Sequence, residues 1–274
     1  MNMKIRKIIL KEGITEEGTP DMKYYAFDWD DNIMIMPTKI VLKDEDGKEV
    51  GMSTEDFAEY RTEIGKEPFE YEGHTIVGFA EDPFRYFGVK GDKQFIIDSL
   101  TAKLGPAWND FVEAINNGSI FSIITARGHT PNVLKEAIYN LIVSNHGGIS
   151  SKELVKNLEK YRDLADEENT SPKEMIREYL DMCKYHPVSY GEGSATNPEE
   201  GKVKAMRLFI DYIKQMSSHI NKKAYLKNKV SNRFTIPKIG FSDDDIRNVE
   251  VMRKHFDKDD LNIYHTGKEG KKNY

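Results

Sequence analysis

Cysteine is almost absent: Cys183 stands alone among 274 residues. It has no partner for an internal disulfide, which excludes a disulfide-stapled scaffold and a Cys-rich zinc site and makes a reducing cytoplasm the expected setting. Long apolar runs are missing too. Nothing approaches the roughly 18 consecutive apolar residues of a membrane span. The start, MNMKIRKIILKEG, is basic with only a three-residue apolar run, unlike a secretory signal. No membrane partner is expected. The phosphate-cradling GxxxxGK[ST] of P-loop kinases does not occur, and the seven histidines form no HExxH or other tight metal spacing. His129 and His186 therefore read as surface or capping residues. A net charge of −6 argues against a general nucleic-acid coat, while leaving a local basic patch open.

What is present is a soluble composition, 38% hydrophobic and 31% charged, long enough for one large domain or one domain carrying insertions. Residues 1–21 read as a leader with a strand at Ile5–Lys11, and Lys23–Asp28 as a short apolar strand. From Thr38 to about Gly105 the texture changes to hairpins around Asp46-Gly47 and Glu72-Gly73. Between them lies a short helix, with Ser53 and Asp56 at capping-box spacing.

A regular rhythm follows. A helix opens at Pro106 and closes near Gly118, Ser119–Thr125 is a buried strand, and Thr130-Pro131 starts another helix. Val133, Leu134, Ala137, Ile138, Leu141 and Ile142 share one face of that helix. Residues 151–184 form a charged helical extension, Pro187–Tyr190 a short strand, and Asn197-Pro198 caps a long helix to about Met216. Strands at Lys238–Ser242 and Leu261–Tyr264 complete the pattern. The expectation is an α/β fold with a parallel, doubly wound sheet, Rossmann-like in its three α/β/α layers. Its core would be 1–34 and 106–274, with 35–105 a mixed β/α insertion of cap or flap type. Ligands of such sheets bind beyond the carboxyl ends of the strands.

Three strand ends carry chemistry. YYAFDWDDNIM delivers Asp28, Asp30 and Asp31 at the end of a buried strand, and in extended backbone Asp28 and Asp30 share a face. In SIITARG, Thr125 ends a strand, and the turn through Ala126, Arg127 and Gly128 offers backbone N–H groups suited to a phosphate oxygen. IGFSDDDIRNVE ends another strand in Asp243, Asp244 and Asp245. Each alone reads as a turn or a helix cap. Together they put acids and a hydroxyl on one sheet edge. A cation is placed by helix geometry: at about 100° per residue, Lys202 falls roughly 30° from the apolar stripe of Val203, Met206, Phe209, Ile210, Ile213 and Met216. Lys204 falls roughly 170° away and is solvated. Lys202 leans inward, where a cation needs anions.

These four features, in this order, resemble the motifs of the haloacid dehalogenase (HAD) superfamily of phosphohydrolases. FDWDDNI is similar to its first motif, hhhDxDxT, SIITARG to the second, Lys202 to the third-motif lysine, and GFSDDDIRNVE to the fourth. The likeness covers residues 22–34, 106–145 and 185–265, and the texture resembles phage-encoded members. The first motif departs from the usual DxDGT, with Asp31 at the glycine and Asn32 at the threonine. The spacing to Asn248 matches DDxxxN, which selects Asp243 and Asp244 and leaves Asp245 as a helix-start acid.

The resemblance implies hydrolysis of a phosphorylated small molecule through an aspartyl-phosphate on Asp28, with Asp30 as acid and base. It implies Mg²⁺ held by Asp28, the Asp30 carbonyl, Asp243 and Asp244. Thr125 and Lys202, with the Arg127–Gly128 turn, would grip the phosphoryl group. Two alternatives stay open. One is a polynucleotide end phosphatase gripping a strand through the basic segment Asn221–Arg233. The other is a catalytically weak HAD-like domain kept for binding or assembly. The tail KEGKKNY reads as a solvated loop.

Overall fold

The computed structural model describes residues 23–164, 168, 170–191, 197–228, 238–267 and 270–274, with the helical backbone alone at 160–164 and 217–228. The expected strand at Ile5–Lys11 lies outside the described residues, as does 229–233 of the basic segment Asn221–Arg233, whose 221–228 are helical backbone.

In chain order, the first strand β1 (Lys23–Phe27) is followed by β2 (Met34–Ile35), β3 (Ile40–Asp44), β4 (Glu49–Met52), helix α1 (Thr54–Tyr60), β5 (Phe69–Tyr71) and β6 (His74–Phe79). Helix α2 (Asp92–Ser99), β7 (Lys103–Leu104), α3 (Trp108–Asn116), β8 (Phe121–Thr125) and α4 (Pro131–Val143) come next. Then follow α5 (Ser151–Leu164), α6 (Pro172–Met182), β9 (Lys184–Pro187), α7 (Pro198–Asn228), β10 (Lys238–Asp243), α8 (Ile246–His255), β11 (Asn262–Gly267) and β12 (Gly270–Asn273). The architecture is mixed α/β around a six-stranded sheet ordered β12-β11-β10-β1-β8-β9. Every pairing in it is parallel except β11 with β12.

Local chemistry accounts for the helix ends. Thr130 caps α4 by accepting from the Val133 N–H, and Pro131 spends no donor at the first turn. Ser171 and Glu174 close a reciprocal capping box on α6. Leu134, Ala137, Ile138, Leu141 and Ile142 of α4 are buried, as are Val203, Met206, Phe209, Ile210, Ile213 and Met216 of α7. Each such large side chain contributes about 1.5–3 kcal/mol on leaving water, which is how two amphipathic stripes hold their helices on the sheet.

The insertion carries a second sheet, β4-β3-β6-β5, antiparallel throughout, with its own core of Ile40, Leu42, Val50, Met52, Ile64, Tyr71 and Ile76. Both expected hairpins are present, and Glu72 and Gly73 have φ of 48° and 81°, the left-handed pair of a tight hairpin turn. The chain leaves and re-enters the core through an antiparallel stalk of β2 against β7. Not all of 35–105 stands apart. Phe95 on α2 joins the main core, so the segment reading as one inserted body is an outer sheet plus an inner arm.

Three other boundaries differ from the sequence reading. The short strand lies at Lys184–Pro187 rather than Pro187–Tyr190, because its register runs from Ser122↔Lys184 to Thr125↔Pro187. Lys184 breaks its apolar pattern, and the fold accommodates the charge by laying the ammonium 3.9 Å from the Tyr212 ring centre. The long helix continues past Met216 to Asn228. The tail is not a free loop: β12, fully exposed and without an apolar residue, adds an antiparallel edge to β11.

Gly105, just after the stalk, approaches the site-bearing loop so closely that a Cβ there would lie 2.3 Å from the Asn32 carbonyl oxygen. Its N–H donates to the Ile33 carbonyl at 3.0 Å, so neither strand of chain can step aside. Gly105→Ala is expected to destabilise by about 1–3 kcal/mol, the usual result of overpacking. An unchanged urea midpoint would show that the two segments part freely.

Candidate active site

Parallel register brings the acids together. Phe27 pairs with Ser242, which sets Asp28 beside Asp243 at the carboxyl edge of the sheet. Phe27 also pairs with Ile123, so Thr125 ends the adjoining strand on the same edge. Asp28, Asp243 and Asp244 each offer a carboxylate oxygen within 4.8 Å of the others. Lys202, buried in the second turn of α7, donates to Asp243 Oδ2 at 2.7 Å and lies 3.1 Å from Asp28 Oδ1. The inward lean read from the helical wheel is therefore observed, while Lys204 is exposed. Asp243 is completely buried, and its other oxygen accepts from Asn248 Nδ2 at 2.9 Å and the Asp245 N–H at 3.0 Å. Asp245 is the α8 cap, accepting from the Arg247 N–H, and stays out of the cluster.

The electrostatics are unbalanced. Three carboxylates face one ammonium, which can balance only one of them. Burial, then Asp243 and Asp30, push the Asp28 carboxyl well above its ordinary range, with Lys202 opposing. Burial, Asp243 and Asp28 do the same to Asp244. For Lys202 burial works against the charge, but Asp243 and Asp28 outweigh it and hold the ammonium ionised. Asp28 Oδ1 has the Lys202 ammonium 3.1 Å away as an ion-pair partner. Three carboxylates whose oxygens lie this close together are a donor set for a hard cation.

Asn32 is better placed than its departure from the motif implies. Fully buried, its Nδ2 lies within donating distance of the Asp28 carbonyl (3.1 Å) and of the Ser242 carbonyl and hydroxyl (both 3.0 Å). Its Oδ1 accepts from Thr266 at 2.5 Å. One amide thus ties the loop after β1 to both β10 and β11. Asp31 occupies the glycine position of the motif with φ at 53°, a left-handed conformation that Asp tolerates better than most side chains.

Asp31 is pushed up to about 6, chiefly by burial, with Asp30 and Glu55 adding and a hydrogen bond from Thr54 opposing. The folded protein thus keeps this proton up to about pH 6 while the unfolded chain releases it near the ordinary value of 3.8, so stability falls as pH rises between them. Asp31→Asn keeps the left-handed turn and removes the charge. It is expected to be more stable than wild type at pH 7, by at most about 3 kcal/mol, with a flatter stability profile from pH 4 to 6. A lower melting temperature at pH 7 would show the Thr54 contact outweighing burial.

Other expected site residues are placed differently. Extended backbone ends at Phe27, and Asp30 turns away from the three-acid group to meet Arg127, whose Nε and Nη2 donate to its two oxygens, each at 2.7 Å. The Arg127 guanidinium is therefore not free for a phosphate. The Gly128 N–H, expected to face substrate, donates instead to the Phe87 carbonyl at 2.7 Å. A Cβ at Gly128 would lie 2.9 Å from the Ser189 carbonyl, so glycine serves a close crossing of chains. His129, read as a surface or capping residue, is fully buried, with Nδ1 2.8 Å from Asp92. Thr125 is buried, and its Oγ1 accepts from the Arg127 N–H at 3.2 Å.

Above the site, α1 of the insertion rests on the helices that carry these groups. Arg61 pairs with Glu199 in the first turn of α7 and stands 3.8 Å from Asp245, and Arg247 donates to the Ala58 carbonyl. Fold and site together define an α/β protein with a buried acidic cluster at the carboxyl edge of a parallel sheet. No family model, curated protein or solved structure matched the chain on comparison. Among the described residues, no helix is long and apolar enough to cross a membrane.

Proposed function

We propose that the protein is a Mg²⁺-dependent phosphomonoester hydrolase of the HAD type, working in the cytoplasm on a small phosphorylated molecule. The observation that carries the reading is the grouping of the buried Asp28 carboxylate with Asp243 and Asp244, with the Lys202 ammonium 3.1 Å from Asp28 Oδ1. In this reading the sheet and its helices form a Rossmann-like three-layer core, and the outer part of the insertion is a cap.

Asp28 is the nucleophile. Its carboxylate oxygen bonds to phosphorus as the bond from phosphorus to the leaving oxygen breaks, giving an aspartyl-phosphate. Asp30 gives a proton to that leaving oxygen and then takes one from the water that attacks the intermediate and frees Asp28. The Thr125 hydroxyl and the remaining N–H of Lys202 hold phosphoryl oxygens as charge builds on them. Asp28, Asp243, Asp244 and the Asp30 carbonyl would hold Mg²⁺, which offsets the excess negative charge and draws electrons from the phosphoryl oxygens. Phosphate-monoester hydrolysis demands up to about 10²¹-fold acceleration, so nucleophile, acid and cations must act together. The test is a panel of phosphomonoesters with Mg²⁺ and with EDTA, run on wild type and Asp28→Asn. Metal-dependent turnover confined to wild type supports the reading, and equal rates for the two proteins sink it.

A further inference from the structure

Arg127 lies in a closed compartment. Its side chain is 1% exposed and two phenyl rings lie against the guanidinium, with centroids 4.7 Å (Phe87) and 5.0 Å (Phe95) from its central carbon. Nε and Nη2 clamp Asp30, Nη2 also reaches Thr38 Oγ1 at 3.2 Å, and Nη1 faces His129 Nε2 at 3.2 Å. A guanidinium only donates, so His129 Nε2 must accept, which puts the proton on Nδ1 and directs it at Asp92 Oδ1. Burial is the main force keeping His129 neutral, and the Arg127 charge adds to it. The result is a chain with every direction fixed: Arg127 donates to Asp30 on one side and to His129 on the other, and His129 donates to Asp92. Four of its supports, Thr38, Phe87, Asp92 and Phe95, come from the insertion.

We infer that Arg127 is a positioning residue for the Asp30 carboxylate rather than a substrate contact, and that Asp92, through His129, fixes its orientation. The guanidinium is closed to a phosphoryl group: the side chain is 1% exposed, two rings lie against it, and the fork that would grip a phosphate already grips Asp30. A lysine cannot substitute, since it offers a point charge where two parallel donors orient a carboxylate. This rests on the reading of Asp30 as the proton-transferring group.

The test is steady-state hydrolysis of p-nitrophenyl phosphate with Mg²⁺ by wild type, Asp28→Asn, Arg127→Ala, Arg127→Lys and Asp92→Asn, with and without added guanidinium ion. Misplacing an acid by an ångström costs on the order of 10²-fold in rate. Arg127→Ala is expected to lose about that factor in kcat with KM unchanged within about twofold, and guanidinium to restore about tenfold of it, while Arg127→Lys stays as impaired as the alanine variant. Asp92→Asn serves where Arg127→Ala fails to fold, with an expected fall in kcat of about fivefold at constant KM. A rise in KM at full kcat would make Arg127 a substrate contact and overturn the inference, as would an Asp92→Asn enzyme with wild-type kcat. An inactive wild type, or one matched by Asp28→Asn, defeats the hydrolase reading and this inference with it. That failure is separable because it appears before any Arg127 variant is compared.

Discussion

Asp28→Asn is expected to lower turnover by about 10⁴-fold or more, the scale seen when an enzyme loses a nucleophile that its other groups are built around. The same substitution is expected to make the metal-free protein more stable. Burial and neighbouring carboxylates already push the Asp28 carboxyl far up, so holding it ionised at neutral pH opposes folding. An amide of the same shape removes that opposition and leaves Lys202 its 2.7 Å partner, Asp243. Mg²⁺ should raise the melting temperature of wild type and do so less for the variant, because ligand stabilisation follows the affinity of the native state alone. A variant that is inactive and also less stable in EDTA would mean that Asp28 is a structural residue.

Lys202→Met carries the largest expected loss of stability, about 3–5 kcal/mol, the usual result of stripping one partner from a buried ionic group. Methionine fills the apolar part of the lysine's path, so the loss measures charge rather than a void. Asp28 and Asp243 would then lie buried against each other with Asp244 beside them. Their remedy is protonation, so the variant should regain stability as pH falls from 8 toward 5. The wild type should recover less: its Asp28 and Asp244 carboxyls are pushed up too, but the Lys202 ammonium, raised above its ordinary range by pairing, opposes that and keeps its contribution across neutral pH, losing it only in alkali. Chemical denaturation at several pH values reads both effects. Adding Asp28→Asn to Lys202→Met should recover part of the loss, and strict additivity of the two changes would refute direct pairing.

Much of this site was legible because it lies in short-range pattern. Lys202 is displaced from Lys204 by two positions on a helix, and that angle alone separates a buried ammonium from a solvated one. Asp245 could be set aside as a cap from its place before Ile246. The alternation of apolar strand and amphipathic helix gave the parallel order, since such strands need crossovers. What escaped was set by distant contacts or by residues with no pattern. Whether Arg127 faces a phosphate or Asp30 depends on Phe87 and Phe95, which approach it only after the insertion folds back. His129 is buried for the same reason, its ring centre 4.4 Å from that of Phe95 and tilted against it. Gly270–Asn273 is a strand by pairing and not by composition. Asn32 looked like a deviation in a motif, yet its amide has the reach to hold two strands that a threonine hydroxyl lacks.

The stalk of β2 against β7 bears on how such a chain can change over generations. Departure and return lie side by side, so lengthening the outer excursion costs little closure entropy, about 0.6 kcal/mol for each doubling. The tips at Asp46-Gly47 and Glu72-Gly73 are thus open ground, where residues can be gained or lost. Thr38, Phe87, Asp92 and Phe95 are not, because they brace the arginine behind the acid. The excursion is a graft with two fates, an outer sheet free to drift and an inner arm bound to the arginine it encloses.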